Sequence, residues 1–142
     1  MAESRSNGAA ENAVQQVQGQ VRTIKHALES RLQSKVPEAS CVIPWLIMHA
    51  ARSIDRYRIG KDGKTAYRRV TGKEFRRPIA EFGETVLYLN PGTKGINKFM
   101  SRWEKGVWIG ILDDSGETIM GTDSGIVMCR VIERLYDEAD RW

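Results

Sequence analysis

The chain has 142 residues, 41% hydrophobic and 28% charged, with a net charge of +4, which favours one domain or a small module with a partial neighbour. Cys41 and Cys129 are far apart and form no CxxC pair, which excludes a disulfide framework and a zinc site and leaves two free, buried thiols as the expectation. The opening segment is polar, and the longest apolar run, residues 41–51, is too short to cross a bilayer and contains His49, so a soluble intracellular protein is expected.

In chain order, residues 1–6 are expected to hang loose, with Ser6 or Asn7 capping a first helix and Glu11 in or near its first turn. Ala10, Val14, Val17, Val21, Ile24, Leu28 and Leu32 recur at steps of three and four, the stripe of a helix packed along one side. A second face carries Glu11, Gln15, Gln18, Arg22 and Lys25, so a carboxylate, two amides and two cations point the same way. Such a face suits DNA, with amides reaching bases or sugars and cations reaching phosphates; a solvated surface would look the same. Gly19 lies near this polar side, where a close approach of backbone or ligand would explain a glycine. His26 is a lone histidine at its edge.

Pro44 suits the first turn of a second helix over about residues 45–57, with Leu46, Ala50, Ile54 and Tyr57 at helical spacing and His49 as a core histidine. Gly60-Lys61-Asp62-Gly63 reads as a turn, residues 65–70 as a short helix, and Gly72 as its end. Residues 52–77 hold ten cations against three acids. Arg56, Arg58, Lys61, Lys64, Arg68 and Arg69 are therefore candidate phosphate contacts, with a steep salt dependence as the expected signature.

The pattern then changes to period two. Residues 84–89 alternate, Asn90-Pro91-Gly92-Thr93 is a turn, and residues 102–112 place Trp103, Val107, Ile109 and Ile111 on one face with Trp108 on the other. Asp113-Asp114-Ser115-Gly116 signals a hairpin, residues 117–121 a strand, Asp123-Ser124-Gly125 a tight turn, and residues 126–132 the next strand. Four short strands with tight turns predict a small antiparallel barrel, and residues 133–140 a last helix. Trp103, Trp108 and Tyr88 suit core packing better than an aromatic cage. Charge divides with the pattern: residues 1–81 carry 15 basic and 8 acidic groups, residues 82–142 carry 7 and 10, so a polyanion would meet the first half.

Ser6-Asn7-Gly8-Ala9-Ala10-Glu11, followed by a long helix with Val14, Val17 and Arg22, resembles the segment around the last acid of the DDE integrases of retroviruses and LTR retrotransposons. Ala50-Ala51-Arg52-Ser53-Ile54-Asp55-Arg56 is similar to that family's late-core helix, with Asp55 where Asn is usual. Lys64-Thr65-Ala66-Tyr67, Gly72-Lys73 and Phe82-Gly83 resemble landmarks of copia-type polyproteins, with Ala66 in place of Pro. Lys98, Arg102, Gly106, Trp108-Ile109-Gly110 and Arg130-Val131 resemble the SH3-like retroelement domain that follows.

The resemblance implies an α+β chain. Residues 1–60 would be C-terminal helices of an RNase H-like integrase core, 61–81 a basic connector, 82–135 an SH3-like β-barrel, and 136–142 a tail or short helix. It implies Glu11 as the catalytic, Mg²⁺-binding acid and adds Asn7 to Gln15 and Gln18 among the DNA contacts. In that family two Mg²⁺ ions held by three carboxylates promote in-line displacement at phosphorus. The first two aspartates precede the glutamate, and only ten residues precede Glu11 here. The expectation is therefore a fragment of a Pol polyprotein integrase that is not catalytic alone. It would bind DNA in the nucleus and assemble with further copies or other parts of the polyprotein. A non-catalytic DNA-binding or chromatin-interacting protein of retroelement descent is the alternative; a barrel interaction domain behind an unrelated helical preface is a third.

Overall fold

The computed structural model describes residues 2–77, 80–93 and 102–142, excepting the side chains of residues 2–6 and 93. The chain divides into two compact units, Met1–Pro78 and Ile79–Trp142. Its described residues form an α+β structure, three helices followed by five antiparallel strands.

In the first unit α1 spans Ala2–Leu32, α2 Ile43–Tyr57 and α3 Ala66–Thr71. Helix α1 starts before Ser6, contrary to the expected loose terminus and Ser6/Asn7 cap. Ala2, Glu3 and Arg5 are good helix formers and nothing before Gly8 stops them. Glu11 consequently lies in the helix interior, not its first turn. Gln33, with φ 50°, ends the helix in the left-handed conformation usual at a helix C-terminus. Glu29 then secures the return, accepting from the Val36 amide at 2.9 Å and from Lys35 at 3.2 Å. The Val36 amide, with Lys35 and Lys25 beside it, holds the Glu29 carboxyl below its ordinary range despite partial desolvation.

Of the apolar stripe of α1 only Leu28 is buried, at 5% exposure, while Val14 and Leu32 at either side remain 55% and 43% exposed; in α2, Leu46 and Ala50 are at 0%. Burying a side chain such as Leu46 contributes about 1.5–3 kcal/mol, and Leu46 and Ala50 of α2 join Leu28 and Val36 in this small core. Near Gly19 nothing approaches within 4 Å of where a Cβ would stand; the described chain supplies no close contact to explain that glycine.

Thr65 caps α3 by accepting from the Arg68 amide, and Gly72 closes it at φ 74°, the end that the sequence predicts. Phe75 ties α3 to α2. Its ring meets Tyr57 and Tyr67 edge-on, with centroids 6.0 and 5.4 Å away, and the Arg56 guanidinium lies 4.3 Å over it.

In the second unit β1 is Thr85–Leu89, β2 Trp103–Ile111, β3 Thr118–Thr122, β4 Gly125–Cys129 and β5 Ile132–Arg134. They form one sheet in the order β4-β3-β2-β1-β5. Among the described residues the edge strands β4 and β5 are not paired with each other, so the sheet is open where a closed barrel was expected. The expected strand over residues 126–132 is two strands. After β4 the chain leaves β3 at Arg130, and Val131 accepts from the Leu89 amide at 3.1 Å. Ile132–Arg134 then pairs with Val86–Tyr88 of β1. The expected helix over residues 133–140 is this strand plus a 3-10 turn, Glu138–Arg141, capped by Asp137.

Strand β2 buries Ile109 and Ile111 as predicted but reverses the predicted faces before its bulge. Trp108 is fully buried and Val107 is 37% exposed. A bulge between Trp108 and Gly110 inserts Ile109, so Gly106 and Trp108 face the core before it and Ile111 after it. One extra residue reverses the alternation downstream. Cys129 is buried, which pushes its thiol up to about 11; Cys41, expected buried, is exposed.

Two polar clusters tie neighbouring strands together. Tyr88 donates to Glu104 Oε2 at 2.7 Å, and Asn90 donates to Glu104 Oε1 at 2.8 Å. Burial, with the Glu104 contact added, raises the Tyr88 hydroxyl to about 12. Glu84, 0% exposed, takes both forks of Arg134 at 2.7 and 2.8 Å. It also accepts from the Glu81 amide at 2.9 Å, and Arg141 lies 3.7 Å away.

Candidate nucleic-acid interface

The exposed face of α1 presents Asn7, Glu11, Gln15, Gln18 and Arg22 to solvent, while Lys25 is half-buried. The expected sharing of one face therefore holds over Glu11 to Arg22. Arg22 Nε donates to the Gln18 carbonyl at 3.3 Å, and Lys25 is ion-paired with Glu29 at 3.5 Å. His26 is exposed beside them.

Among the described residues, no group of three His, Cys, Asp or Glu side chains converges to hold a metal ion. Glu11, Asp55 and Asp62 therefore form no such group of three among the described residues.

The cations of residues 52–77 fall into distinct classes. Arg56 is 4% exposed and stacked on Phe75, which withdraws it from the surface set predicted for phosphates. Arg58 is exposed and donates to the Gln16 side chain, which in turn donates to Asn12 at 2.9 Å. Arg68 and Arg76 flank Glu74 at 3.4 and 3.1 Å. Arg69 grips Asp62 with two hydrogen bonds, 2.8 and 2.6 Å. This contact, ahead of the Lys64 amide, holds the Asp62 carboxyl well below the usual carboxylate range. Lys61, Lys64 and Lys73 are exposed, and among the described residues none has an acidic partner.

Gln16, Asp55, Arg58, Gly60, Lys61 and Arg69 line a recess between α1, α2 and the turn that follows α2. Sequence reasoning missed Gln16. Its neighbour Gln15 shares the Glu11 face, but Gln16 faces α2, and only the packing of two helices reveals the Arg58 contact. His49, half-buried, is held neutral by burial and by Arg56 and Arg52, at about 4. Its ring nitrogen lies 3.4 Å from the Ser53 hydroxyl, as suits a core histidine. Lys98 lies outside the described residues. No described helix is long and apolar enough to cross a membrane.

No family model matches the chain, and neither curated proteins nor solved structures give a match.

Proposed function

We propose that the chain binds duplex DNA through its first unit, as part of a retroelement integrase. The observation that carries the reading is the exposed cationic surface of α3 and its flanking turns. Lys61, Lys64 and Lys73 are unpaired among the described residues there, and Arg58 and Arg68 stand exposed beside them. The polar face of α1, with Gln15, Gln18 and Arg22, adds side chains of the kind that contact sugars and bases.

The order of landmarks from Ser6 to Arg130-Val131 supports integrase descent, with the three helices as the end of an RNase H-like core. A sheet in which β5 returns to the free side of β1 supports the SH3-like assignment for the second unit. Glu11 corresponds to the last acid of the family's triad. In the family's enzymes the matching acid helps hold Mg²⁺; Glu11 would be one of the residues holding it, and the ion would supply Lewis-acid chemistry for displacement at phosphorus. This chain's own part is to hold the DNA, in the nucleus and alongside further copies or other parts of the polyprotein.

Fluorescence anisotropy with a labelled duplex across a salt series tests the reading. With about four to five phosphate contacts, log K falls against log salt with a slope of about −4, and raising salt from about 50 to 200 mM weakens binding by roughly two orders of magnitude. Absent binding, or a slope near zero, refutes it.

A further inference from the structure

The turn after α2 is closed more tightly than a surface loop needs to be. Ile59 and Thr65 form an antiparallel bridge. Between them the Gly60 amide donates to the Lys64 carbonyl at 2.9 Å, and the Gly63 amide to the Gly60 carbonyl at 3.0 Å. The Lys64 amide donates to Asp62 Oδ1 at 3.2 Å. Arg69, projecting from α3, closes the arrangement. Its Nε and Nη2 take the two Asp62 oxygens at 2.8 and 2.6 Å, and Nη2 also reaches the Lys64 carbonyl at 3.2 Å. A Cβ on Gly60 would collide with this guanidinium.

The two remaining side chains of consequence, Lys61 and Lys64, are exposed. Asp62 stands between them in sequence, and a free carboxylate there would draw both ammonium groups inward. With its two oxygens committed to Arg69 and the Lys64 amide, it does not compete for them. We propose that the Gly60 to Lys64 turn is a preorganised clasp for the phosphodiester backbone, with Lys61 and Lys64 as the phosphate ligands and the Asp62–Arg69 pair as their positioning device. This rests on the DNA-binding reading and deepens it: Arg69 serves the interface by holding the turn, not by touching DNA.

The substitution Asp62→Asn separates the clasp from bulk charge. It adds one positive charge beside the DNA, so unspecific electrostatics predicts tighter binding. The clasp predicts the opposite, because Arg69 loses its grip and two lysines must be ordered on binding, a loss of about threefold to tenfold in affinity. The double variant Lys61→Gln/Lys64→Gln should lower the salt slope by about two, and adding Asp62→Asn to it should weaken binding no further. Far-UV circular dichroism checks that each variant keeps its helices.

Tighter or unchanged binding by Asp62→Asn overturns the clasp while leaving the DNA-binding reading intact. A parent chain that fails to bind duplex in a salt-dependent way overturns both. An undiminished salt slope in the lysine double variant overturns the assignment of the ligands.

Discussion

Glu84 is the side chain whose removal should cost the second unit most. It is 0% exposed and accepts four contacts: two from Arg134, one from the Glu81 amide and a longer one from Arg141. Through them it joins the start of β1 to β5 and to the final 3-10 turn. Breaking a buried ion pair by deleting one partner costs about 3–5 kcal/mol. Arg134 is 45% exposed and can return to water, so the cost of Glu84→Ala is set lower, at about 2–3 kcal/mol. A unit of this size has a total stability of roughly 3–10 kcal/mol, and about 1 kcal/mol shifts its melting temperature by roughly 4–8 °C. The expected drop is therefore about 10–20 °C.

Tryptophan fluorescence reads it, because the fully buried Trp108 enters water when the sheet opens. Burial opposes the Glu84 charge, but the Arg134 bonds, the Glu81 amide and the nearby Arg141 outweigh it and keep the carboxyl below its ordinary 4.5. A carboxyl lowered by folding stabilises fully above its unfolded value, and that contribution is lost as pH falls through the folded value. The acid limb of unfolding, beginning below about pH 4.5, should be shallower in Glu84→Gln than in the parent. A shift under about 3 °C for Glu84→Ala, or identical acid limbs, would refute the assignment of Glu84 as the latch.

Other consequences follow from the first unit. Phe75→Ala removes the ring against which Arg56, Tyr57 and Tyr67 rest; it should cost about 2–4 kcal/mol, and hydrogen exchange should quicken at the α3 amides before those of α2. Gly60→Ala displaces the Arg69 guanidinium. It should leave thermal melting nearly unchanged while weakening duplex binding as Asp62→Asn does, measured by the same anisotropy titration. His49, neutral with its value lowered to about 4, resists protonation in the fold. Stability of the first unit should therefore decline as pH falls from about 6.5 toward 4, and His49→Gln should flatten that part of a pH–melting profile.

The legible parts of the fold were those written in local chemistry. Thr65 and Gly72 bracket α3, Pro44 opens α2, and Asp113-Asp114-Ser115-Gly116 turns the β2–β3 hairpin; each acts within four residues of itself. The illegible parts depend on distant partners. Trp108 and Val107 exchange faces because of one inserted residue, a bulge that period-two alternation does not announce. Residues 130–134 leave one sheet edge and join the other because β1 offers unpaired backbone there and Glu84 offers Arg134 a buried carboxylate fifty residues upstream. Helix α1 overran its expected cap because Ser6 and Asn7 are tolerated inside a helix when good formers precede them. At the candidate interface, charge density in residues 52–77 was visible, but its division was not. That Arg56 is stacked and Arg69 clamps Asp62, while Lys61 and Lys64 have no acidic partner among the described residues, follows from packing around Phe75 and from a loop closure.

Backbone amide chemical shifts on titration with a short DNA duplex test the central claim most directly. Perturbations should concentrate at Lys61, Lys64, Arg68 and Lys73 and along the exposed face of α1 from Gln15 to Arg22, and fade as salt rises. Shifts confined to the strands of the second unit, or none at DNA concentrations well above those of the anisotropy titration, would contradict the account.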